Sequence, residues 1–138
     1  MARKYHSRRE EIRCGLAEYS KVLKGIISEY GEEARYEIGD AMRETGKALV
    51  KEVKAKSPKK SGNYRMGWKS ETKEFRLDAS TVIYNQNAYQ LTHLLEFGHA
   101  LYLGGRYAGE VGAKPHMAPV QDMAAEVFER KLREEMES

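Results

Sequence analysis

Apolar residues recur with a helical period over two stretches in the first part of the chain. From Leu16 to Tyr30 they are spaced by three, one and three residues, which is the 3.6-residue repeat of an amphipathic helix. A second run continues beyond Gly31, with alanines at intervals of seven beside it, and its apolar positions are Ile38, Met42, Leu49 and Val53. Small residues at that interval let another backbone approach, so this second helix is expected to pack along its length. The pattern leaves open whether Gly31 divides one long helix into two.

The centre of the chain changes to a period of two. Ser57-Pro58 should end the second helix, because proline disfavours a helical conformation at the residue before it. Residues 59–63 then predict an exposed, mobile basic turn. From Tyr64 to Thr72 apolar and polar residues alternate, which predicts a half-buried strand. A second strand is predicted over 80–84, paired antiparallel with the first and followed by a turn.

The last third predicts a short helix, a loop and a final helix. The short helix covers 89–96 and is stopped by Gly98. Residues 101–114 contain four glycines and predict a mobile loop. Pro119 suits the first turn of the final helix, whose apolar stripe is Val120, Met123, Ala124, Val127 and Leu132. The predicted fold class is α+β, with N-terminal helices and a C-terminal helix packed on a small antiparallel β-sheet.

Length and composition narrow the class of protein. The 138 residues are expected to form a single domain, 1–138, in which 1–10 is a disordered basic tail. No window approaches the roughly 18 consecutive apolar residues of a membrane span, and no apolar segment follows the basic N-terminus as in a secretory signal. Cys14 is the only cysteine and cannot form an intramolecular disulfide, which is consistent with a reducing compartment.

The net charge of +3 conceals an asymmetry between the two halves of the chain. Residues 1–69 carry 17 Lys and Arg against 10 Asp and Glu, a net of +7, whereas residues 70–138 carry 7 against 11, a net of −4. Unlike patches of this kind suit head-to-tail packing of identical subunits. Solvated helix faces that differ by chance are the alternative, and the sequence alone leaves both open.

The histidines invite a metal-site hypothesis, which the spacing disfavours. Zinc sites on one helix place two histidines four residues apart, whereas His93 and His99 are six apart with Gly98 between them. Glu96 shares a helix face with His93, and His116 is near enough to reach them from the loop. The predicted role of this group is hydrogen bonding that fixes the turn after Gly98. No metal is predicted.

No enzyme signature is present in the sequence. Cys14 lies in or beside the first predicted helix and has no compelling histidine or carboxylate partner in sequence. Gly104-Gly105-Arg106 is too short for a phosphate-binding loop and follows no suitable strand and helix. We therefore predict no catalytic residue and no cofactor.

The basic segment 54–69 supports a nucleic-acid hypothesis as the alternative function. Its candidate contacts to phosphate, or to an acidic protein partner, are Lys56, Lys59, Lys60 and Arg65. Tyr64 and Trp68 are interleaved with them, as in proteins that stack on unpaired bases. Both aromatic residues fall on the predicted buried side of the strand, which argues against stacking. Non-specific contact with a passing genome, or with an acidic surface of a partner ring, is favoured over sequence-specific DNA binding, and the sequence leaves both of these contacts open.

Several short motifs follow one another along the chain and together carry a family resemblance. They are Ser57-Pro58-x-x-Ser61-Gly62-x-Tyr64, Trp68, Tyr84-Asn85, Tyr89, Leu95-Glu96-x-Gly98-His99 and Pro115-His116-x-x-Pro119. In this order and spacing the chain resembles a family of small neck proteins of tailed bacteriophages and prophages. Members of that family join the head to the tail or complete the tail. The resemblance covers residues 16–135.

The resemblance implies a structural protein of the virion. It implies an α+β subunit that forms a ring, with a hexamer typical, at the neck or tail end of the virion, and that is assembled in the host bacterial cytoplasm. The implied partners are copies of itself and neighbouring head-completion and tail-tube proteins, without cofactor or catalysis. Phe97 is expected in the core or against a neighbouring subunit. The interface and structural positions are Pro58, Gly62, Tyr64, Trp68, Tyr84, Tyr89, Glu96, Phe97, Gly98, His99, Pro115, His116 and Pro119. Tail termination and head–tail joining both stay open.

Overall fold

A computed structural model describes residues 11–15, 21, 25, 28–29, 33–58, 62–75, 78–87 and 89–137. The predicted tail 1–10, most of the predicted helix 16–30, and Lys59 and Lys60 lie outside the described residues. The elements, in chain order, are β1 (Ile12–Gly15), α1 (Glu33–Lys56), α2 (Gly62–Met66), β2 (Trp68–Phe75), β3 (Asp78–Asn85), α3 (Tyr89–Phe97), β4 (His99–Leu103), β5 (Arg106–Val111) and α4 (Met117–Glu137). This combination of helices and two antiparallel sheets confirms the α+β fold class.

The main sheet has three antiparallel strands in the order β1-β3-β2. The predicted pairing of β2 with β3 is confirmed, with Trp68 opposite Asn85. Strand β1 was not predicted from the sequence, since its four residues are too few to establish a period. Cys14 lies on this strand and is buried. The strand is joined to α4 by Gln121, whose amide accepts from Arg13 N at 2.9 Å and donates to Arg13 O at 2.8 Å.

The strand predicted to begin at Tyr64 begins four residues later, at Trp68. Tyr64 lies in the short helix α2, and its carbonyl accepts from Gly67 N at 3.1 Å and from the Asn85 side-chain amide at 2.6 Å. Gln86 N then donates to Gly67 O at 2.8 Å. These bonds close a turn just before β2, so the early part of the alternating pattern was wrongly assigned to the strand.

Helices α1 and α4 pack on each other and on the inner face of the sheet, and the core lies between these layers. The predicted end of α1 is confirmed, because the Ser57 hydroxyl donates to Val53 O at 2.5 Å and caps the last turn. Gly39 and Gly46 lie on the face of α1 toward the sheet. A Cβ at Gly46 would lie 2.8 Å from the Thr81 hydroxyl and 3.1 Å from the Ser70 side chain. Glycine is therefore what allows α1 to lie so close to the sheet.

The prediction of a loop over 101–114 was wrong, because strands β4 and β5 form an antiparallel hairpin in this region. Its turn consists of Gly104 and Gly105, with φ of 58° and 80°. Two successive residues with positive φ are what a two-residue type I′ hairpin turn requires, so the glycines serve a turn and not an irregular loop. The short helix that Gly98 ends (φ 77°) is confirmed, and Pro119 lies in the first turn of α4 as predicted. Within the part of the chain that the structure describes, no helix has the length and apolar character to cross a membrane.

Candidate functional site

Helix α3 buries two of its polar side chains and exposes three of its large apolar ones, although Leu95 packs against the core and His93 is exposed. Thr92 and Glu96 are buried, whereas Leu91, Leu94 and Phe97 are 46%, 39% and 63% exposed. The helix of a monomeric globular domain ordinarily has the opposite arrangement, with its apolar stripe facing the core. We call Leu91, Leu94 and Phe97 the α3 stripe. This arrangement raises two questions. The first is which groups form hydrogen bonds with the buried polar side chains, and the second is what the exposed apolar side chains contact.

Glu96 is satisfied by the beginning of α4. Its carboxylate accepts from three backbone N–H groups, those of His116 (2.8 Å), Met117 (2.9 Å) and Ala118 (3.0 Å). These first N–H groups of a helix have no carbonyl partner within the helix, so the carboxylate caps α4 from a distant position in the chain. Burial disfavours the charged carboxylate, but the three donors and nearby His116 outweigh it and lower the pKa of Glu96 below its ordinary value.

The His116 imidazole is buried and uses both of its ring nitrogens. Its Nδ1 lies 2.9 Å from Lys114 O and 3.1 Å from a Glu96 carboxylate oxygen, and both of these are acceptors. Nδ1 therefore carries the proton, and in the neutral ring Nε2 accepts from the Tyr64 hydroxyl at 2.7 Å. The Tyr64 and Thr92 hydroxyls are 3.2 Å apart. Burial raises the pKa of Tyr64 to about 12, so its hydroxyl stays protonated at neutral pH.

Three rings pack edge to face around this hydrogen-bond network. The centroids of Tyr64, Trp68 and His116 are 5.6–5.8 Å apart, with interplanar angles of 71–76°. The Trp68 indole N–H donates to the Ser57 hydroxyl at 2.7 Å. The cluster thereby connects the end of α1 with α2, α3 and the start of α4, and we call it the polar junction. Every one of its polar side chains has a partner inside the protein, which fits a role in fixing α3 rather than in chemistry on a substrate.

The hairpin that follows α3 is held at its base and exposed at its tip. At the base of the hairpin, His99 pairs with Val111 and Leu101 pairs with Gly109, and these four residues are half-buried. A β-bulge separates the base from the tip, where the side chains of Tyr102, Leu103 and Tyr107 are 60–64% exposed. The two tyrosine rings contact each other across the strands, with centroids 5.9 Å apart. We call these three residues the hairpin tip.

The structure brings together some of the positions singled out in the sequence and separates others. Tyr64, Trp68, Glu96 and His116 meet in the polar junction, with Gly98 and Pro119 beside it in the chain. Tyr84 and His99 are half-buried elsewhere, Pro58 is half-buried after α1, and Gly62 and Pro115 are exposed. The side chain of Tyr89 lies outside the described residues. Phe97 is exposed, so the part of its prediction that placed it in the core was wrong.

Other members of the site were missed from the sequence. Thr92 gave no signal, because a threonine in a short apolar helix has no characteristic partner. The α3 stripe did give a signal, with large apolar residues at intervals of three, but that spacing is normally the mark of a buried face. The tyrosines of the hairpin tip were not recognised from the sequence, because the glycines around them led to the prediction of a loop.

His93, His99 and His116, the histidines in the described part of the chain, do not gather around one position. His93 is exposed and its ring centroid lies 4.9 Å from that of Phe97, whereas Glu96 is buried and its carboxylate accepts from the backbone at the start of α4. In the described ranges, the acidic and histidine side chains that come close enough to share an ion are Glu37, Asp40 and Glu135. This group contains none of the predicted residues, and Asp40 is paired with Arg43.

The basic segment offers less to a nucleic acid than its sequence implies. Tyr64 and Trp68 are buried and cannot stack on bases. Lys56 forms an ion pair with Glu52 at 3.0 Å, and Arg65 donates from Nε to Lys54 O at 3.1 Å. The remaining candidates, Lys59 and Lys60, lie outside the described residues. The alternative function therefore rests on cations alone.

The fold and the site together define a class of protein: a small α+β domain with a buried, fully hydrogen-bonded polar junction and exposed apolar side chains on α3 and on the hairpin tip. A family model described as "Bacteriophage HK97-gp10, putative tail-component" matches residues 21–98, which is more than half of the chain, and the chain belongs to that family. This family supports a role as a phage tail component, and the match confirms the resemblance noted from the motifs. No match was found among curated proteins or solved structures. The matched range includes α1 to α3 and ends where the hairpin begins.

Proposed function

We propose that this chain is a ring-forming subunit of the phage neck, acting as a tail-completion or tail-terminator protein or as a head–tail joining protein. The observation that carries the proposal is the reversed orientation of α3. Large apolar side chains at the surface of a monomer mark a site of protein contact when they are grouped. In this chain the apolar side chains of α3 face outward because the buried polar junction fixes the orientation of the helix.

The remaining elements of the proposal concern assembly. The partners are copies of the chain itself, in a ring for which the family resemblance implies six subunits, and the head-completion and tail-tube proteins on either side. The ring occupies the neck or tail end of the virion and forms in the bacterial host. The opposite net charges of the two halves of the sequence support stacking of unlike surfaces. The chain acts as a single domain, and its role is structural and not catalytic.

The test is removal of the chain from a phage that encodes it, followed by electron microscopy of the lysate. We expect DNA-filled heads and separate tails, or tails of irregular length, and no joined particles. Adding the purified protein should restore joined particles. A protein carrying Glu126→Gln, a change at an exposed position of α4, is the matched positive control.

The two possible roles give different micrographs. A head–tail joining subunit leaves tails of normal length that fail to attach, whereas a tail terminator leaves tails that continue to grow. Negative-stain images of isolated necks or tail ends should show the ring and its number of subunits. Infectious, joined particles formed without the chain would overturn the proposal.

A further inference from the structure

We propose that the hairpin tip of one copy of the chain docks on the α3 stripe of the next copy. This inference rests on the proposed ring function and names the two surfaces that build the ring. It assigns a role to six exposed residues, of which only Phe97 was predicted at an interface from the sequence: Leu91, Leu94, Phe97, Tyr102, Leu103 and Tyr107.

The composition of the α3 stripe favours an apolar protein surface as its partner. Glu96 is the only Asp, Glu, Lys or Arg residue of α3, and it is turned inward and occupied by the start of α4. The outer face therefore carries no Asp, Glu, Lys or Arg side chain, and its one imidazole, that of His93, packs against the Phe97 ring. What it offers is a ridge of two leucines and a phenylalanine on a short helix whose position is fixed by the polar junction.

The hairpin tip has the complementary properties of a docking arm. A two-stranded hairpin by itself is at best marginally stable in water, and this one is supported only at its base in the described part of the chain. Its bulge turns the tip relative to the base, as bulges do where a strand must redirect its side chains. Tyrosine is enriched among the residues that dominate binding energy, because its rigid ring supplies a large contact area. Tyr102 and Tyr107 are already packed against each other for such a role.

The two surfaces are too exposed to be covering each other within one chain. The stripe residues are 39–63% exposed and the tip residues 60–64% exposed in the same molecule. At about 200 Å² for a large side chain, the six residues expose on the order of 700 Å² of side-chain surface. A standard interface buries about 1,600 Å² in all, of which a little over half, or about 900 Å², is apolar. Stripe and tip from two copies thus supply most of the apolar area of one ordinary interface.

A second copy is the occupant that fits both surfaces at once. Identical chains that meet through two different surfaces form a head-to-tail contact, and such contacts close into rings when the rotation permits. A stripe meeting a stripe, or a tip meeting a tip, would instead give a two-fold dimer. The ring function therefore favours contact between tip and stripe.

Two triple variants test the inference. The tip variant carries Tyr102→Ser, Leu103→Ser and Tyr107→Ser, and the stripe variant carries Leu91→Gln, Leu94→Gln and Phe97→Gln. All six positions are exposed, so both variants should fold, which circular dichroism and thermal melting will check. The matched control carries Tyr36→Gln and Met66→Gln, two comparably exposed apolar residues on other elements.

The readout is mass in solution, measured by light scattering and sedimentation over a concentration series. We expect the wild type and the control to associate equally, and each triple variant to associate at least about 30-fold more weakly. Mixing the two variants in equal amounts should give a 1:1 dimer that grows no further. Each such pair has only one intact tip facing one intact stripe.

Three results would overturn the inference. The first is association of either triple variant at wild-type strength, which would show that the ring forms through other surfaces and would leave the proposed function intact. The second is a mixture that stays monomeric, which would exclude a head-to-tail contact. The third is a wild-type chain that stays monomeric at millimolar concentration, in which case micrographs of phage necks still decide the proposed function independently.

Discussion

Replacing Glu96 with glutamine should destabilise the protein by about 2–3 kcal/mol, which is large for a change that keeps the shape of the side chain. The carboxylate accepts three backbone hydrogen bonds of 2.8–3.0 Å and is almost completely buried. Hydrogen bonds to charged groups contribute about 1.5–3 kcal/mol each and are not additive, and a buried donor left without a partner costs about 1–3 kcal/mol. Glutamine retains one acceptor oxygen and presents an NH₂ group to a donor that needs an acceptor. Glu96→Ala, which removes both oxygens, should cost more, about 3–4 kcal/mol.

The assay is urea denaturation followed by circular dichroism, at several pH values. The pKa of Glu96 is lowered in the folded state, so the unfolded chain binds the proton more readily. The stabilisation by the carboxylate is then fully present above the ordinary pKa of 4.5 and is lost as the pH falls below that value. We therefore expect the difference between wild type and Glu96→Gln to be constant from pH 6 to 8 and to shrink progressively toward pH 3.

Glu126→Gln is the control for this prediction, because it makes the same chemical change at an exposed position of α4 and should alter stability by less than about 0.5 kcal/mol. Two outcomes would refute the reasoning. One is a Glu96→Gln protein within about 0.5 kcal/mol of wild type, which would mean that the N–H groups of α4 find other partners. The other is a difference that does not change between pH 7 and pH 3, which would mean that charge plays no part.

Three further predictions concern the junction and the helix–sheet contact. Gly46→Ala should lower the free energy of unfolding by about 1–3 kcal/mol in urea denaturation, because the added Cβ meets a buried threonine hydroxyl of β3. Gly39→Ala should be nearly neutral, because the atoms that its Cβ meets belong to a flexible glutamate side chain of β2. Equal losses of stability in the two variants would contradict this reasoning. Tyr64→Phe should cost about 1–2 kcal/mol, and in an alkaline absorbance titration it should abolish the tyrosine that ionises near pH 12. Since the pKa of Tyr64 is raised in the folded state, the difference in stability between the two proteins should hold below pH 10 and diminish above it; a pH-independent difference would contradict the assignment. Trp68→Phe should cost about 1–3 kcal/mol by loss of the indole bond to Ser57 and of ring area, and Trp68→Phe combined with Ser57→Ala should cost less than the two single changes together.

The parts of the fold that could be predicted are those with a long periodic pattern or a strong local stop. Helix α1 was predicted with its end at Ser57-Pro58, because many apolar positions repeat in phase and proline acts through local sterics. Strand β1 is four residues long and gave no period. The hairpin was assigned to a loop, because glycine permits positive φ equally in an irregular loop and in a tight turn, and only pairing between the two flanking strands distinguishes them.

For the site, too, some features follow from the local sequence and others depend on the tertiary structure. The sequence by itself determined the fold class, the α1 and α4 cores, and the motif order that identifies the phage family, because these depend on periodicity and on short-range turn chemistry. It singled out Glu96 and His116 and predicted hydrogen bonding for them, but not that one would cap the helix begun by the other. Only the tertiary structure decided which side of α3 faces the core. Helix α3 has apolar and polar residues on both of its faces. Which face is buried depends on partners that lie 20 or more residues away in the chain, here Tyr64 on α2, which contacts Thr92, and the first N–H groups of α4, which donate to Glu96.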